Sequence, residues 1–177
     1  FFKKQFPSKS YGAFIQSFQF LFTLGMGMIV SYYIITKLLV GSEDQEGLPF
    51  VGRAGALLDK MLASINLDRK NVYITNVVNY RPPENRRPTQ EEIDRYSPYL
   101  KKHIEIIDPK ILVLLGTTAL NAIIGDQLVI SKARGQWIEK KIGASKMSVI
   151  VTFHPAFLMR QPAQKKMAWI DLKMIRE

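Results

Sequence analysis

From Ser42 onward, apolar runs rich in β-branched residues alternate with amphipathic stretches, and this alternation limits the fold more than any other feature. Each apolar run is short enough for one buried strand, and each amphipathic stretch has the spacing of a helix with one inward face. Parallel strands covered by helices produce this pattern. We therefore predict a three-layer α/β/α sandwich around a small, mostly parallel sheet. The predicted strands span residues 72–78, 110–115 and 147–153, and the predicted helices span residues 53–65, 89–107, 117–124 and 163–176.

The sequence predicts where the second of these helices begins and which face of the last one is buried. Thr89 and Glu92 have the spacing of a capping box, which begins a helix that ends near Ile107. In the last helix we expect the apolar residues Met167, Ile170 and Met174 to face the core.

Residues 1–41 differ from residues 42–177, and we treat them as a separate segment. They contain four lysines and no acidic residue, and no charge lies between Ser10 and Thr36. One interpretation is a buried helix followed by a strand within residues 29–40. The other is a membrane anchor over residues 14–36, because a bilayer requires about 20 mostly apolar residues.

Composition excludes several kinds of site. The sequence contains no cysteine, which excludes disulfides, thiolate metal sites, iron–sulfur clusters and cysteine nucleophiles. With only His103 and His154 present, we expect no multi-histidine metal site, and we interpret His103 as structural. The net charge of +10 indicates a polyanionic partner, nucleic acid or anionic lipid, although a merely basic soluble protein would show it too.

Three polar segments follow predicted strands, where sites form in parallel sheets. Phe50 precedes a helix among glycines and could form an aromatic platform or a packed turn. Asn76 carries a donor and an acceptor that could read a planar base, or it could cap a turn. His154 could donate a hydrogen bond to a developing anion, or it could be structural.

Basic and apolar side chains in these segments suggest contacts with nucleic acid. Arg81, Arg86 and Arg87 lie on a proline-rich frame suited to binding phosphate, although a solvated loop would look the same. Leu158 lies on a predicted exposed loop beside Arg160, an arrangement that could separate a base from a duplex.

Five segments in this order and spacing resemble the family 4 uracil-DNA glycosylases of bacteria and archaea, over about residues 42–177. They are EDQEGLPFVGRAGALLDKML (43–62), TNVVNYRPPENRRPTQEEIDRYSPYL (75–100), LLGTTAL (114–120), RGQW (134–137) and HPAFLMRQPAQKKMAWIDL (154–172).

The resemblance implies a DNA-repair enzyme that flips uracil out of DNA and hydrolyses its N-glycosidic bond. It implies that Phe50 stacks on the uracil and that Asn76 reads the Watson–Crick edge. It also implies that His154 stabilises negative charge on the uracil oxygen. Leu158 would fill the gap that the flipped base leaves in the DNA duplex, and Arg160 would hold phosphate. We expect a cytoplasmic monomer acting on single- or double-stranded uracil-containing DNA.

The chain departs from the family at its metal cluster. The family has four cysteines that bind a [4Fe-4S] cluster, and two of those positions are occupied here by Tyr80 and Tyr96. We therefore expect no metal and no cofactor. The two tyrosines could pack on each other in place of the cluster.

A second departure concerns an acidic motif. The family has a Gly-Glu-Ala-Pro-Gly motif before its Glu-Asp pair, and this chain reads KLLVGSEDQEG there. Either a few residues around Gly41 are deleted, or residues 1–41 are a replaced segment. Glu43 and Asp44 are the nearest acidic substitutes beside the sugar.

Three functional hypotheses follow. The leading one is a cluster-free uracil-DNA glycosylase, whose activity the loss of the acidic motif could reduce. The first alternative is a DNA- or uracil-binding module of the same fold without catalysis. The second is a membrane-tethered protein anchored through residues 14–36.

Overall fold

A five-stranded sheet with the order β2-β1-β3-β5-β4 forms the centre of the computed structural model, which describes residues 32–38, 50, 52–78 and 86–176. Strand β1 pairs in parallel with β2 and β3, β3 pairs in parallel with β5, and β4 is an antiparallel edge strand. The strands are β1 (Tyr32–Leu38), β2 (Val72–Val78), β3 (Ile111–Leu115), β4 (Trp137–Ile142) and β5 (Ser145–Thr152). The helices are α1 (Arg53–Ala63), α2 (Gln90–Ile107), α3 (Thr117–Ile123), α4 (Ile130–Ala133), α5 (Pro155–Arg160) and α6 (Lys165–Arg176), with a 3-10 turn at Pro162–Gln164.

Helices cover both faces of the sheet, which confirms the predicted α/β/α sandwich. The side chains of β3 alternate between the two faces, so that Leu112 and Leu114 pack with helices α2 and α3. Val113 and Leu115 pack with helices α1, α5 and α6 on the other face. We call the face covered by α1, α5 and α6 the α1 face.

Strand β1 lies in the middle of the sheet, between β2 and β3. It falls within residues 29–40, where one of the two interpretations placed a strand, and residues 32–38 belong to the same sheet as the rest of the described strands. Residues 14–31, which complete the proposed anchor or the proposed helix, lie outside the described residues. Among the helices that the structure describes, none combines the length and the apolar character needed to cross a membrane.

The last helix buries a face that overlaps the predicted one only at Met174. Met167 and Ile170 are 41% and 45% exposed, whereas Asp171, Leu172 and Ile175 are buried. The prediction was wrong for Met167 and Ile170, because it assigned the inward face from apolar residues alone. Met174 is half-buried and packs against the α1-face cluster, as predicted. The inward face also contains an acidic residue with polar partners.

A buried ion pair fixes helix α6 to the sheet. The side chain of Asp171 is completely buried and accepts a hydrogen bond of 2.6 Å from the Thr152 hydroxyl at the end of β5. The guanidinium of Arg134 donates to both carboxylate oxygens of Asp171, at 2.5 and 3.1 Å. Burial raises the pKa of the Asp171 carboxyl, and the bonds from Thr152 and Arg134 oppose that change.

The predicted capping box is present at the start of helix α2. The Thr89 hydroxyl accepts from the Glu92 backbone N–H, and the Glu92 carboxylate accepts from the Thr89 N–H at 2.8 Å. Arg86 adds two hydrogen bonds of 2.8 Å, one to each oxygen of Glu92. The hydrogen bond from Arg86, followed by that from Thr89, lowers the pKa of Glu92 to about 2.

Replacing Asp171 by alanine should lower the free energy of unfolding by about 3–5 kcal/mol, because the Arg134 guanidinium would stay buried without its carboxylate. Urea unfolding followed by circular dichroism measures this. The matched control is Glu91→Ala, which breaks an exposed ion pair with Arg95 and should have a far smaller effect. Equal losses in the two variants would contradict the anchoring role of Asp171.

Replacing Glu92 by glutamine should destabilise the protein in a pH-dependent way. Because the folded-state pKa of Glu92 is depressed, its contribution is complete above about pH 4.5 and is lost as the pH falls towards 2. Urea unfolding of the wild type and Glu92→Gln at pH 7 and pH 3 should therefore give a smaller difference at pH 3. In an Arg86→Gln background this pH dependence should largely disappear, and its persistence there would show that Arg86 is not its cause.

Candidate functional site

The candidate site lies at the carboxyl ends of the parallel strands. Asn76 is near the end of β2, Gly116 follows β3, and His154 follows β5 by two residues. Because these strands run in parallel, their ends meet at the same edge of the sheet. Two of the three polar segments predicted from sequence, those containing Asn76 and His154, therefore reach one edge.

Phe50, Asn76 and His154 share the α1 face. Val72 and Ile74 pack with the α1-face cluster, and alternation along β2 places Asn76 on the same side. Asn76 is 4% exposed and Phe50 is 3% exposed. Phe50 belongs to the α1-face cluster, and its ring centroid lies 5.3 Å from that of His154, with the planes tilted by 34°. The structure thus brings an aromatic ring, an imidazole and an amide to one face and one edge.

His154 is held by the start of helix α5. It is the N-cap residue, and its Nδ1 accepts the backbone N–H of Ala156 at 3.1 Å. A neutral imidazole that accepts at Nδ1 carries its proton at Nε2, so Nε2 is the donor nitrogen. Gly116 has a φ of 87°, and a Cβ added there would lie 3.0 Å from the Cβ of His154. A side chain at residue 116 would be strained at this φ and would crowd His154, so glycine favours the close approach of the chain after β3.

The prediction that Leu158 lies on an exposed loop is wrong. Residues Pro155–Arg160 form helix α5. Proline is well suited to the first turn of a helix, because backbone N–H groups there make no intrahelical hydrogen bond and its lack of one costs nothing. Leu158 is 1% exposed and packs in the α1-face cluster, so it does not project towards DNA in this structure. Met159, 36% exposed, and Arg160 lie on the outer side of the same helix.

The basic residues predicted to bind phosphate have different surroundings. Arg87 and Arg160 are exposed. Arg86 is also exposed, but its guanidinium pairs with Glu92 and its Nη1 donates to the Arg87 carbonyl at 3.0 Å. Arg81 lies outside the described residues. The structure therefore gives Arg86 a role in bracing the start of helix α2.

The acidic residues Glu43 and Asp44, predicted to lie beside the sugar, fall outside the described residues. The same is true of Tyr80, so its proposed packing against Tyr96 stays a prediction.

An iron–sulfur cluster does not fit the residues that this chain offers. The sequence has no cysteine to supply a thiolate ligand. Tyr96 is half-buried, and it packs against the apolar cluster under helix α2. In the described part of the chain, no group of three or more His, Asp or Glu side chains could hold a metal ion.

Arg69 contacts the site, and the sequence did not identify it. It lies between α1 and β2, and its Nη2 donates to the backbone carbonyl of Phe50. Its Nε donates to Asp59 of helix α1 at 2.6 Å. The sequence offers no signal for this contact, because the partner is a main-chain carbonyl 19 residues away.

Comparison with known proteins identifies the family of the chain. The model of the uracil DNA glycosylase superfamily matches residues 34–173. The chain is 42% identical over 139 residues to the type-4 uracil-DNA glycosylase of Archaeoglobus fulgidus, covering 76% of this chain and 70% of that protein. It is 44% identical to the type-4 uracil-DNA glycosylase of Sulfurisphaera tokodaii, over 77% of this chain and 64% of that protein. It is 48% identical to the type-4 uracil-DNA glycosylase of Thermotoga maritima, over 67% of this chain and 60% of that protein. The chain thus spans 60% to 70% of the length of these relatives. A family match over most of the chain shows that it belongs to the uracil DNA glycosylase superfamily.

Proposed function

We propose that this chain is a DNA-repair enzyme that hydrolyses the N-glycosidic bond between uracil and deoxyribose in DNA. The observation that carries the proposal is the contact between the Phe50 ring and the His154 imidazole, on the face of the sheet that also bears Asn76. Excision of a planar base requires an aromatic surface for stacking, an amide that hydrogen-bonds to the Watson–Crick edge and a hydrogen-bond donor to the developing anion. Phe50, Asn76 and His154 supply these in that order. The names of the relatives, which are type-4 uracil-DNA glycosylases, support the same activity.

Base recognition is assigned to Phe50 and Asn76. The ring of Phe50 stacks on the uracil face. The amide of Asn76 accepts from the uracil N3–H and donates to O4, whereas cytosine presents the opposite order of donor and acceptor on that edge. Because Asn76 is 4% exposed, its surroundings restrict the amide, and a restricted amide discriminates between the two bases.

Catalysis is assigned to His154. When the bond between C1′ and N1 breaks, its electron pair goes to the uracil and the sugar becomes cationic. The Nε2–H of His154 donates a hydrogen bond to the uracil oxygen on which the negative charge develops. Water then adds its hydroxyl to C1′ and supplies a proton to the uracil, which leaves an abasic site. We assign Glu43 and Asp44 to the neighbourhood of the sugar, where a carboxylate would stabilise the cation.

DNA binding is assigned to exposed basic residues. The target base must leave the stack before it can reach the buried site. Arg87 and Arg160 hold phosphates on the protein surface, and Arg81 is assigned to the same role from its sequence position. The net charge of +10 supports a polyanionic substrate, single- or double-stranded.

The proposal includes no cofactor, a monomer and a cytoplasmic location. The lack of cysteine and the packing of Tyr96 support catalysis without an iron–sulfur cluster. The monomer is included because Phe50, Asn76 and His154 of a single copy are assigned both base recognition and catalysis. The proposed DNA substrate supports the cytoplasm over a membrane-tethered form. The names of the relatives do not favour a binding module without catalysis, and the next experiment distinguishes the two.

Uracil release should depend on His154. In a single-turnover assay on a uracil-containing single-stranded oligonucleotide, scored as alkali-labile abasic sites, the wild type should form product. His154→Ala should be slower by roughly 10²–10³-fold, because it loses a donor to the developing anion. The control is the affinity for the same oligonucleotide by fluorescence anisotropy, which should change little. Binding by the wild type without any product would mean a binding module.

DNA binding should weaken as salt increases, because phosphate contacts release counterions. Arg87→Ala and Arg160→Ala should each reduce the slope of log affinity against log salt by about 1. Glu91→Gln, which changes an exposed charge on α2, is the matched control and should not reduce the slope. Affinity that is the same at low and high salt would contradict the assignment of these arginines.

A further inference from the structure

The backbone of Phe50 has an unusual conformation. Its φ is 60°, in the left-handed region that residues with a side chain rarely adopt, and its side chain is 3% exposed. Such a conformation persists only where the surroundings impose it, and it often occurs at functional sites. The contacts that impose it here therefore also determine where the Phe50 ring lies.

One of these contacts is made by Gly55, in the first turn of helix α1. A Cβ added at Gly55 would overlap the carbonyl carbon and oxygen of Phe50, and it would lie 3.2 Å from Nη2 of Arg69. The Phe50 carbonyl thus occupies space that any side chain at residue 55 would fill. Helix α1 accepts the strained turn because residue 55 is glycine.

The second contact is made by Arg69. One guanidinium nitrogen, Nη2, donates to the Phe50 carbonyl, and another, Nε, donates to Asp59 at 2.6 Å. Asp59 belongs to helix α1, so the arginine links the helix to the Phe50 turn. A planar guanidinium can make both bonds at once in a fixed geometry, which a lysine ammonium does less well.

We propose that Arg69 is a positioning residue for uracil binding. Together with Gly55 it holds Phe50 in the left-handed conformation that places the ring 5.3 Å from the His154 imidazole. Arg69 itself does not touch the base. The inference rests on the proposed function, because it takes the Phe50 ring as the surface on which uracil stacks.

The test uses free uracil as the probe and measures its dissociation constant by NMR titration. Arg69→Gln should weaken uracil binding by roughly tenfold to hundredfold, because it loses hydrogen bonds from a charged donor that hold the stacking ring. The affinity for an oligonucleotide without uracil should change less than about twofold, because the phosphate contacts remain. A merely structural role would not separate these two affinities.

Arg95→Gln is the matched control, because it removes the same charge from an exposed ion pair on helix α2. It should leave uracil binding unchanged. Arg69→Lys serves if Arg69→Gln does not fold, since it keeps the charge. It should also weaken uracil binding, because one ammonium reaches both Asp59 and the Phe50 carbonyl less well. Uracil binding equal to that of the wild type in a folded Arg69 variant would overturn the proposal.

The glycosylase activity and the positioning role of Arg69 are tested by different results. If the wild type binds free uracil but releases none from DNA, the proposed function fails, and the comparison of Arg69 variants still decides the positioning role. If the wild type releases uracil and the Arg69 variants bind uracil equally well, the positioning role alone fails.

Discussion

The buried ion pair between Arg134 and Asp171 fixes the strand end on which His154 depends. Removing two charges from water is costly, and only good geometry with additional hydrogen bonds offsets that cost. Here two further hydrogen bonds stabilise the pair. The Thr152 hydroxyl donates to Asp171, and Arg134 donates to the Met167 carbonyl. The Arg134 guanidinium also lies 5.3 Å from the centroid of the Phe153 ring. Helix α6, the end of β5 and the segment before β4 are therefore held together immediately before His154.

Backbone constraints hold the other parts of the site. Gly116 lets the chain after β3 approach His154, and Gly55 leaves space for the Phe50 carbonyl. In the family that the sequence resembles, an iron–sulfur cluster binds the segment after Asn76. In this chain, the described part of that segment is braced by the Arg86–Glu92 ion pair and by the packing of Tyr96. Among the described residues, ion pairs and close packing thus hold the parts of the candidate site in place.

Much of the fold could be predicted from the sequence, because β2, β3 and β5 are apolar runs and α2 begins with a capping box. Strand β4 could not, because only its last residue, Ile142, is buried and its residues form no apolar run. On helix α6, Met167 and Ile170 were wrongly placed inward, because the acidic Asp171 on the inward face obscured the apolar pattern. In the site, Asn76 and His154 could be identified from their positions at strand ends. Arg69 could not, because its contact with a main-chain carbonyl depends on tertiary structure.

The central claim is that Phe50, Asn76 and His154 form one pocket for uracil. A crystal structure of the wild-type chain with free uracil tests it most directly. The account predicts uracil stacked on the Phe50 ring, with the Asn76 amide at its N3 and O4 edge and Nε2 of His154 at the remaining oxygen. Uracil bound elsewhere, or bound without contact to Phe50 and Asn76, would contradict it.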